Sequence, residues 1–177
     1  MNITVYLASR MGADPDFEKR TRELGKWIGE NGHTLVYGGS DGGLMGVLAD
    51  AALAGGGRII GVEPDVQLIL DRQHKGLSEV IKTDSMAERK TVMIEKGDMF
   101  IALPGGLGTL DEITEVLDLK SLDLVKGPVV FFNVNGCYTA LKQVFDSMLK
   151  NGLAEASYFA DVHFADTVED IRRIAER

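Results

Sequence analysis

Short β-rich runs alternate with stretches of helical length along this chain, and no other feature narrows its fold so far. The runs lie at 2–8, 33–37, 58–62, 78–82, 98–103, 128–133 and 162–164, and between them apolar residues recur at helical spacing. The first helical segment, over 16–31, carries Phe17, Leu24, Trp27 and Ile28, and Gly32 closes it as a C-terminal glycine should. Others are predicted over 43–55, 85–96, 109–124, 138–150 and 167–176. Strict alternation predicts an α/β fold with a doubly wound, mostly parallel sheet and helices on both faces, in three layers. Ligands of such sheets bind beyond the carboxyl ends of the strands, near the topological switch point. At 177 residues and 45% hydrophobic content the chain suits a single domain over 1–177 with a full core. The connection over 63–76 has no predicted element and reads as a flap or a partner contact.

Two glycine clusters sit where strands are predicted to end and helices to begin. The run Leu103-Pro104-Gly105-Gly106-Leu107-Gly108-Thr109-Leu110-Asp111-Glu112 joins an apolar strand to a helix through three glycines and then places a carboxylate on the helix. Glycines let successive N–H groups turn toward one point, and the helix start favours an anion there. The second cluster, Tyr37-Gly38-Gly39-Ser40-Asp41-Gly42-Gly43-Leu44-Met45-Gly46, reads as another loop of backbone donors, with Gly39 and Ser40 as ligand contacts. Neither is a nucleotide fingerprint by its own spacing. No Gly-Lys-Ser/Thr ending makes a P-loop, and Asp111 stands where a dinucleotide fold would have its third glycine. The alternative is that such glycines only permit tight turns and close packing.

A formal net charge of −8 disfavours nucleic acid and anionic membrane surfaces as partners, so an anionic small ligand has to be held by local donors. The chain opens on a strand-like run without a basic, apolar leader and holds no bilayer-length apolar stretch, which predicts a soluble, cytoplasmic protein. Cys137 is the single cysteine, and His33, His74 and His163 lack ligand spacing; neither a disulfide framework nor a metal site is expected.

Thr109 and Glu112 have the spacing of a capping box, in which the glutamate only orders the helix start. The same glutamate also stands beside any anion held at residues 105–109, where the helix dipole favours its ionised form. Asp111 and Glu115 point away and read as solvated. Upstream, Ser85 and Glu88 form a second potential capping box, and Met86, Arg89 and Met93 share a helix face. Either the methionines are core and Arg89 and Lys90 pair with surface carboxylates, or the face is an apolar slot for a base, closed by a guanidinium.

Taken together, Pro104-Gly105-Gly106-Leu107-Gly108-Thr109-Leu110-Asp111-Glu112 and Arg89-Lys90 resemble the Pro-Gly-Gly-x-Gly-Thr-x-x-Glu and Arg-Lys signatures of the Lonely Guy family of nucleotide phosphoribohydrolases, also labelled lysine decarboxylases. Val36-Tyr37-Gly38-Gly39, Gly43-Leu44-Met45-Gly46, Ile60-Gly61-Val62, Phe100-Ile101-Ala102-Leu103 and Asn133-Val134-Asn135-Gly136 extend the resemblance over most of the chain. It implies a Rossmann-like homodimer that needs no cofactor and hydrolyses the N-glycosidic bond of cytokinin riboside 5′-monophosphates or AMP. Glu112 and Arg89 match the family's catalytic pair. The purine nucleoside 5′-monophosphate would be held by Gly105, Gly106, Gly108 and Thr109 at its phosphate, with Lys90 adding charge and Met86 packing on the base. The chain departs from the pattern at Leu7-Ala8-Ser9, which replaces a glycine-serine turn, at Ser40, at Glu63, and across Leu119-Lys120-Ser121-Leu122-Asp123-Leu124-Val125, where plant-type members carry Trp-x-Gln-Leu-Gly-x-His. These departures bear on base choice. The rival reading is a nucleotide-binding protein of the same fold without turnover. Pyridoxal phosphate chemistry ranks third, since no lysine has a recognisable Schiff-base setting.

Overall fold

The computed structural model describes residues 1–65 and 72–177. Its strands are β1 (Asn2–Tyr6), β2 (Thr34–Tyr37), β3 (Arg58–Pro64), β4 (Glu79–Thr83), β5 (Met99–Ala102), β6 (Val129–Phe132) and β7 (Val162–Ala165). Its helices are α1 (Pro15–Glu30), α2 (Gly43–Ala54), α3 (Met86–Lys96), α4 (Leu107–Ser121), α5 (Thr139–Lys150) and α6 (Val168–Ala175). The seven strands form one sheet in the order β4-β3-β2-β1-β5-β6-β7, with every pairing parallel. The order reverses between β1 and β5. This is the switch point, and the first glycine loop follows β5 directly.

Period-two alternation along the strands sends residues to two cores. Ile3, Val5, Leu35, Ile59, Met99 and Ile101 meet Leu24, Ile28, Leu48 and Ile171 on the face covered by α1, α2 and α6. Tyr6, Val36, Ile60, Val62, Phe100 and Phe131 meet Met93, Ile113, Val116 and Phe145 on the face of α3, α4 and α5. The predicted three-layer α/β architecture is therefore the one observed.

Local chemistry sets the ends of α1. Asp14 caps it by accepting from the Asp16 N–H at 2.9 Å, Pro15 takes the first position, and Gly32 leaves it at φ +67°. Residues 72–77 of the long connection run across the second glycine loop. The Asp41 N–H donates to the Arg72 carbonyl, the His74 N–H donates to the Gly39 carbonyl, and Ser40 pairs with Gln73 in an antiparallel bridge. Of the connection at 63–76, read as a flap or a partner contact, 63–64 end β3, 72–76 belong to this strap, and 66–71 lie outside the described residues. Among the described residues no helix is long and apolar enough to cross a membrane, and no cluster of three His, Cys, Asp or Glu side chains offers a metal site.

Candidate active site

The carboxyl ends of β1, β2 and β5 open onto a cavity of about 690 Å³. Its wall brings together Tyr6 to Arg10 after β1, Gly38 after β2, Met86, Arg89 and Met93 from α3, and Gly106 to Thr109, Asp111 and Glu112 from α4. A second lobe of about 370 Å³ shares Ser9, Gly38, Met45, Met86 and Arg89 with it and adds Ser40, Pro64 and Arg72.

Arg89 and Glu112 meet here although 23 residues separate them. Ser85 starts α3 by accepting from the Glu88 N–H at 3.1 Å, while the Glu88 carboxylate reaches past the cap to the Asp84 N–H at 2.6 Å. One turn on, the Arg89 side chain is buried; its Nε donates to the Val62 carbonyl at 2.9 Å and its Nη1 to Glu112 Oε1 at 2.7 Å. The Nη2 lies where a Cβ on Gly38 would stand, so only glycine at 38 leaves the guanidinium its place. β2, β3 and α4 together immobilise one cation.

Glu112 differs from the sequence expectation in two respects. α4 begins at Leu107 with Gly106 as its N-cap and no side-chain capping bond, so Thr109 and Glu112 form no capping box and Glu112 sits in the second turn. Its side chain leans back toward the helix start, as helical side chains do, and reaches the cavity that way. Burial pushes its carboxyl above the ordinary carboxylate value, and Arg89 only partly draws it back. A dipole-stabilised, low-pKa glutamate is thus not what the fold builds. The second carboxylate oxygen makes no hydrogen bond among the described residues.

The start of α4 has the form of an anion cradle. The first N–H groups of a helix have no intrahelical partner, and here no side chain caps them. Thr109 is buried with its side chain packed under Gly105, where a Cβ would overlap the threonine hydroxyl. At Gly106 and Gly108 the opposite holds: among the described residues a Cβ would meet nothing within 4 Å, so no described neighbour demands glycine there.

Other expected residues are placed differently. Lys90 is turned away from the cavity and pairs with Glu115 at 2.6 Å and Asp111 at 3.1 Å; its hydrogen bond to Glu115 raises its pKa. Those two carboxylates are therefore ion-pair partners and not merely solvated. Met86 stands half-exposed at the rim, while Met93 is a core residue with one edge on the cavity wall. Gly39, at φ +80°, faces the buried Glu63 and does not line the cavity, whereas Ser40 lines the second lobe. The second cluster is not a free donor loop, because the N–H groups of Asp41 and Gly42 are taken by the Arg72 carbonyl and the Ser40 hydroxyl. Glu63, set where an apolar residue is usual, is fully buried and bonded to Lys82 at 2.6 Å.

Sequence reasoning missed Tyr6, Met45 and Arg10 as wall residues. Tyr6 is buried, its hydroxyl without a partner among the described residues, and burial together with the Glu112 charge holds that phenol far above its usual pKa. Arg10 had a signal that could have been read, being a cation four residues past the end of the first strand.

The family model described as "Possible lysine decarboxylase" matches residues 45–174. The cytokinin riboside 5′-monophosphate phosphoribohydrolase of Rhodococcoides fascians is 40% identical over 141 residues, 79% of this chain and 71% of that protein. A probable enzyme of the same name from Oryza sativa subsp. japonica is 37% identical over 155 residues, 88% of this chain and 67% of the relative. The Arabidopsis thaliana enzyme LOG7 is 35% identical over 150 residues, 85% and 69% of the two chains. Among solved structures, the molybdenum cofactor binding protein of Rippkaea orientalis matches at a TM-score of 0.75 and 24% identity over 99% of this chain and 94% of that one, a likeness of fold alone. The Moco carrier protein of Chlamydomonas reinhardtii matches at 0.74 and 22%, over 99% and 97%. With Arg89, Glu112 and the start of α4 meeting at one cavity and this level of identity across most of its length, the chain belongs to the Lonely Guy family, the one whose model is described as "Possible lysine decarboxylase".

Proposed function

We propose that the protein hydrolyses the N-glycosidic bond of a purine nucleoside 5′-monophosphate, releasing the free base and ribose 5-phosphate. The observation that carries this reading is the Arg89–Glu112 pair, locked into one wall of a cavity whose neighbouring wall is an uncapped helix start with open space at Gly106 and Gly108. The names of the curated relatives support it.

In the proposed reaction the phosphate rests on the N–H groups at the start of α4, with Gly105 to Thr109 shaping the turn. That contact orients the ribose through a part of the substrate that does not react. As the bond from C1′ to the purine nitrogen breaks, its electron pair leaves with the base and positive charge grows on the sugar. The Glu112 carboxylate favours that charge more in the transition state than in the substrate. Water then adds its oxygen to C1′, and its proton balances the departing base. Arg89 holds Glu112 in place and offers its remaining N–H groups to ribose or phosphate oxygens; a guanidinium does not give up its proton at neutral pH and is no general acid. Met86, Met45 and Met93 supply an apolar wall for the base. Lys90 acts from behind, holding Asp111 and Glu115 on α4. We assign the protein to the cytoplasm as a homodimer on family resemblance.

Incubation with AMP, isopentenyladenosine monophosphate and a panel of other nucleoside monophosphates, followed by assay of free base, tests the reading. Base release from at least one purine nucleotide is expected, and none from any overturns it. Lysine decarboxylation is not favoured by this cavity, since among the described residues no lysine lines it.

A further inference from the structure

Among the described residues, four charged side chains line the main cavity: Arg10, Arg89, Asp111 and Glu112. Arg89 is matched by Glu112 at 2.7 Å, and Asp111 by Lys90 at 3.1 Å. Arg10 is left over, for among the described residues it makes neither an ion pair nor a side-chain hydrogen bond. Its backbone, by contrast, is held from two sides. The Ala8 N–H donates to the Pro104 carbonyl at 3.3 Å, tying the loop after β1 to the turn that opens α4. The bare Cα of Gly43 lets the main chain of Ser9 and Arg10 pack on the start of α2. Arg10 also lines a side lobe of about 200 Å³ on the Pro104-Gly105 side of the turn, so it stands at the junction of the two spaces that this turn separates.

We infer that Arg10 recognises the phosphate dianion of the substrate and sets the preference for nucleotide over nucleoside. The inference rests on the reading of this cavity as a nucleoside monophosphate site. A helix start contributes only about half a positive charge, whereas a phosphate monoester carries about two negative ones. The chain as a whole bears a net charge of −8 and the other charged groups of the cavity cancel in pairs, so neither the protein's field nor the buried ion pair supplies the difference. Arg10 does. Its planar fork also matches two phosphate oxygens at once, which a lysine cannot do.

The test compares wild type, Arg10→Ala and Arg10→Lys for base release from AMP and from adenosine, with thermal unfolding as a check on folding. Arg10→Ala is expected to lower kcat/KM for AMP about ten- to a hundredfold, chiefly through KM, and to shrink the ratio of AMP to adenosine kcat/KM by a similar factor. Arg10→Lys should recover part of that ratio, because it restores the charge without the fork. An unchanged ratio in Arg10→Ala overturns the proposal while leaving the hydrolase reading intact. Calorimetric titration of AMP into Glu112→Gln protein, with and without Arg10→Ala, separates the two ideas from the other side. If wild type releases no base yet AMP binding weakens at least about tenfold on loss of Arg10, the proposal stands and the hydrolase reading falls. Binding indifferent to Arg10 overturns the proposal, and neither binding nor base release with any nucleotide of the panel overturns both.

Discussion

The two glycine-rich loops have similar composition, both follow a strand and both open a helix, yet the protein uses them in opposite ways. In the second loop three glycines answer close neighbours: Gly38, at the cavity wall, makes way for Arg89 and Met45, and behind it Gly39 makes way for Glu63 and Gly46 for the Asp41 carbonyl. Its N–H groups are partly consumed by the strap at residues 72–77. In the first loop Gly105 accommodates Thr109, but Gly106 and Gly108 border open space. Glycine inside a helix costs about 0.5–1 kcal/mol relative to alanine. Gly108, inside α4, bears that cost with no described neighbour to require it, and the space it leaves is the one proposed for the phosphate.

The strongest break in that comparison lies beside the first loop, at Glu112. Glu112→Gln keeps a hydrogen-bonding partner for Arg89 but removes the charge, and base release should fall by about a thousandfold while the protein stays folded, as read by steady-state assay and circular dichroism. In wild type, kcat/KM should decline as pH is lowered through the Glu112 pKa. The proposed active form is the carboxylate, and burial raises that pKa, so the decline should have its midpoint above the ordinary glutamate value of about 4.3. A flat acid limb would remove Glu112 from the chemistry.

Next in size is Gly108→Ala. A methyl group added there meets no protein atom, so stability should hold or rise by up to about 1 kcal/mol, while KM for the nucleotide rises about ten- to a hundredfold as the cradle fills. Unchanged kinetics would mean that the open space is not the phosphate site. Gly46→Ala should do the reverse: its methyl would overlap the Asp41 backbone, costing about 1–3 kcal/mol in denaturant unfolding, with KM of the folded fraction close to wild type. The smallest effect is expected from Lys90→Ala. Its charge reaches the first loop only through Asp111 and Glu115, and kcat/KM should change by less than about fivefold; a larger loss would put Lys90 in contact with substrate.

Much of this was legible in the chain because the signals are local. Period-two runs and helical spacing located the seven strands and six helices of the described residues to within a few positions, since burial on a flat or cylindrical surface imposes those periods. The motifs also pointed to Arg89 and Glu112. What spacing rules could not reach is any contact that depends on which strands become neighbours. Thr109 and Glu112 have capping-box spacing, but the guanidinium delivered by α3 claims the carboxylate, and the helix starts two residues earlier on Gly106. Lys90 adjoins Arg89 in sequence, but the helix turns it about 100° away, toward Asp111 and Glu115.

The amino-acid order alone determined the parallel α/β architecture, the two strand-to-helix glycine turns and the residue types available at them, because these follow from burial periods and from backbone freedom within a few residues. Only the tertiary structure decided that Arg89 neutralises Glu112, that Glu63 is sealed behind Gly39, and that Arg10 lines the main cavity without an ion-pair partner among the described residues. Those outcomes depend on charge pairing and desolvation across β1, β3 and β5, distances that exist only once the sheet order has reversed between β1 and β5.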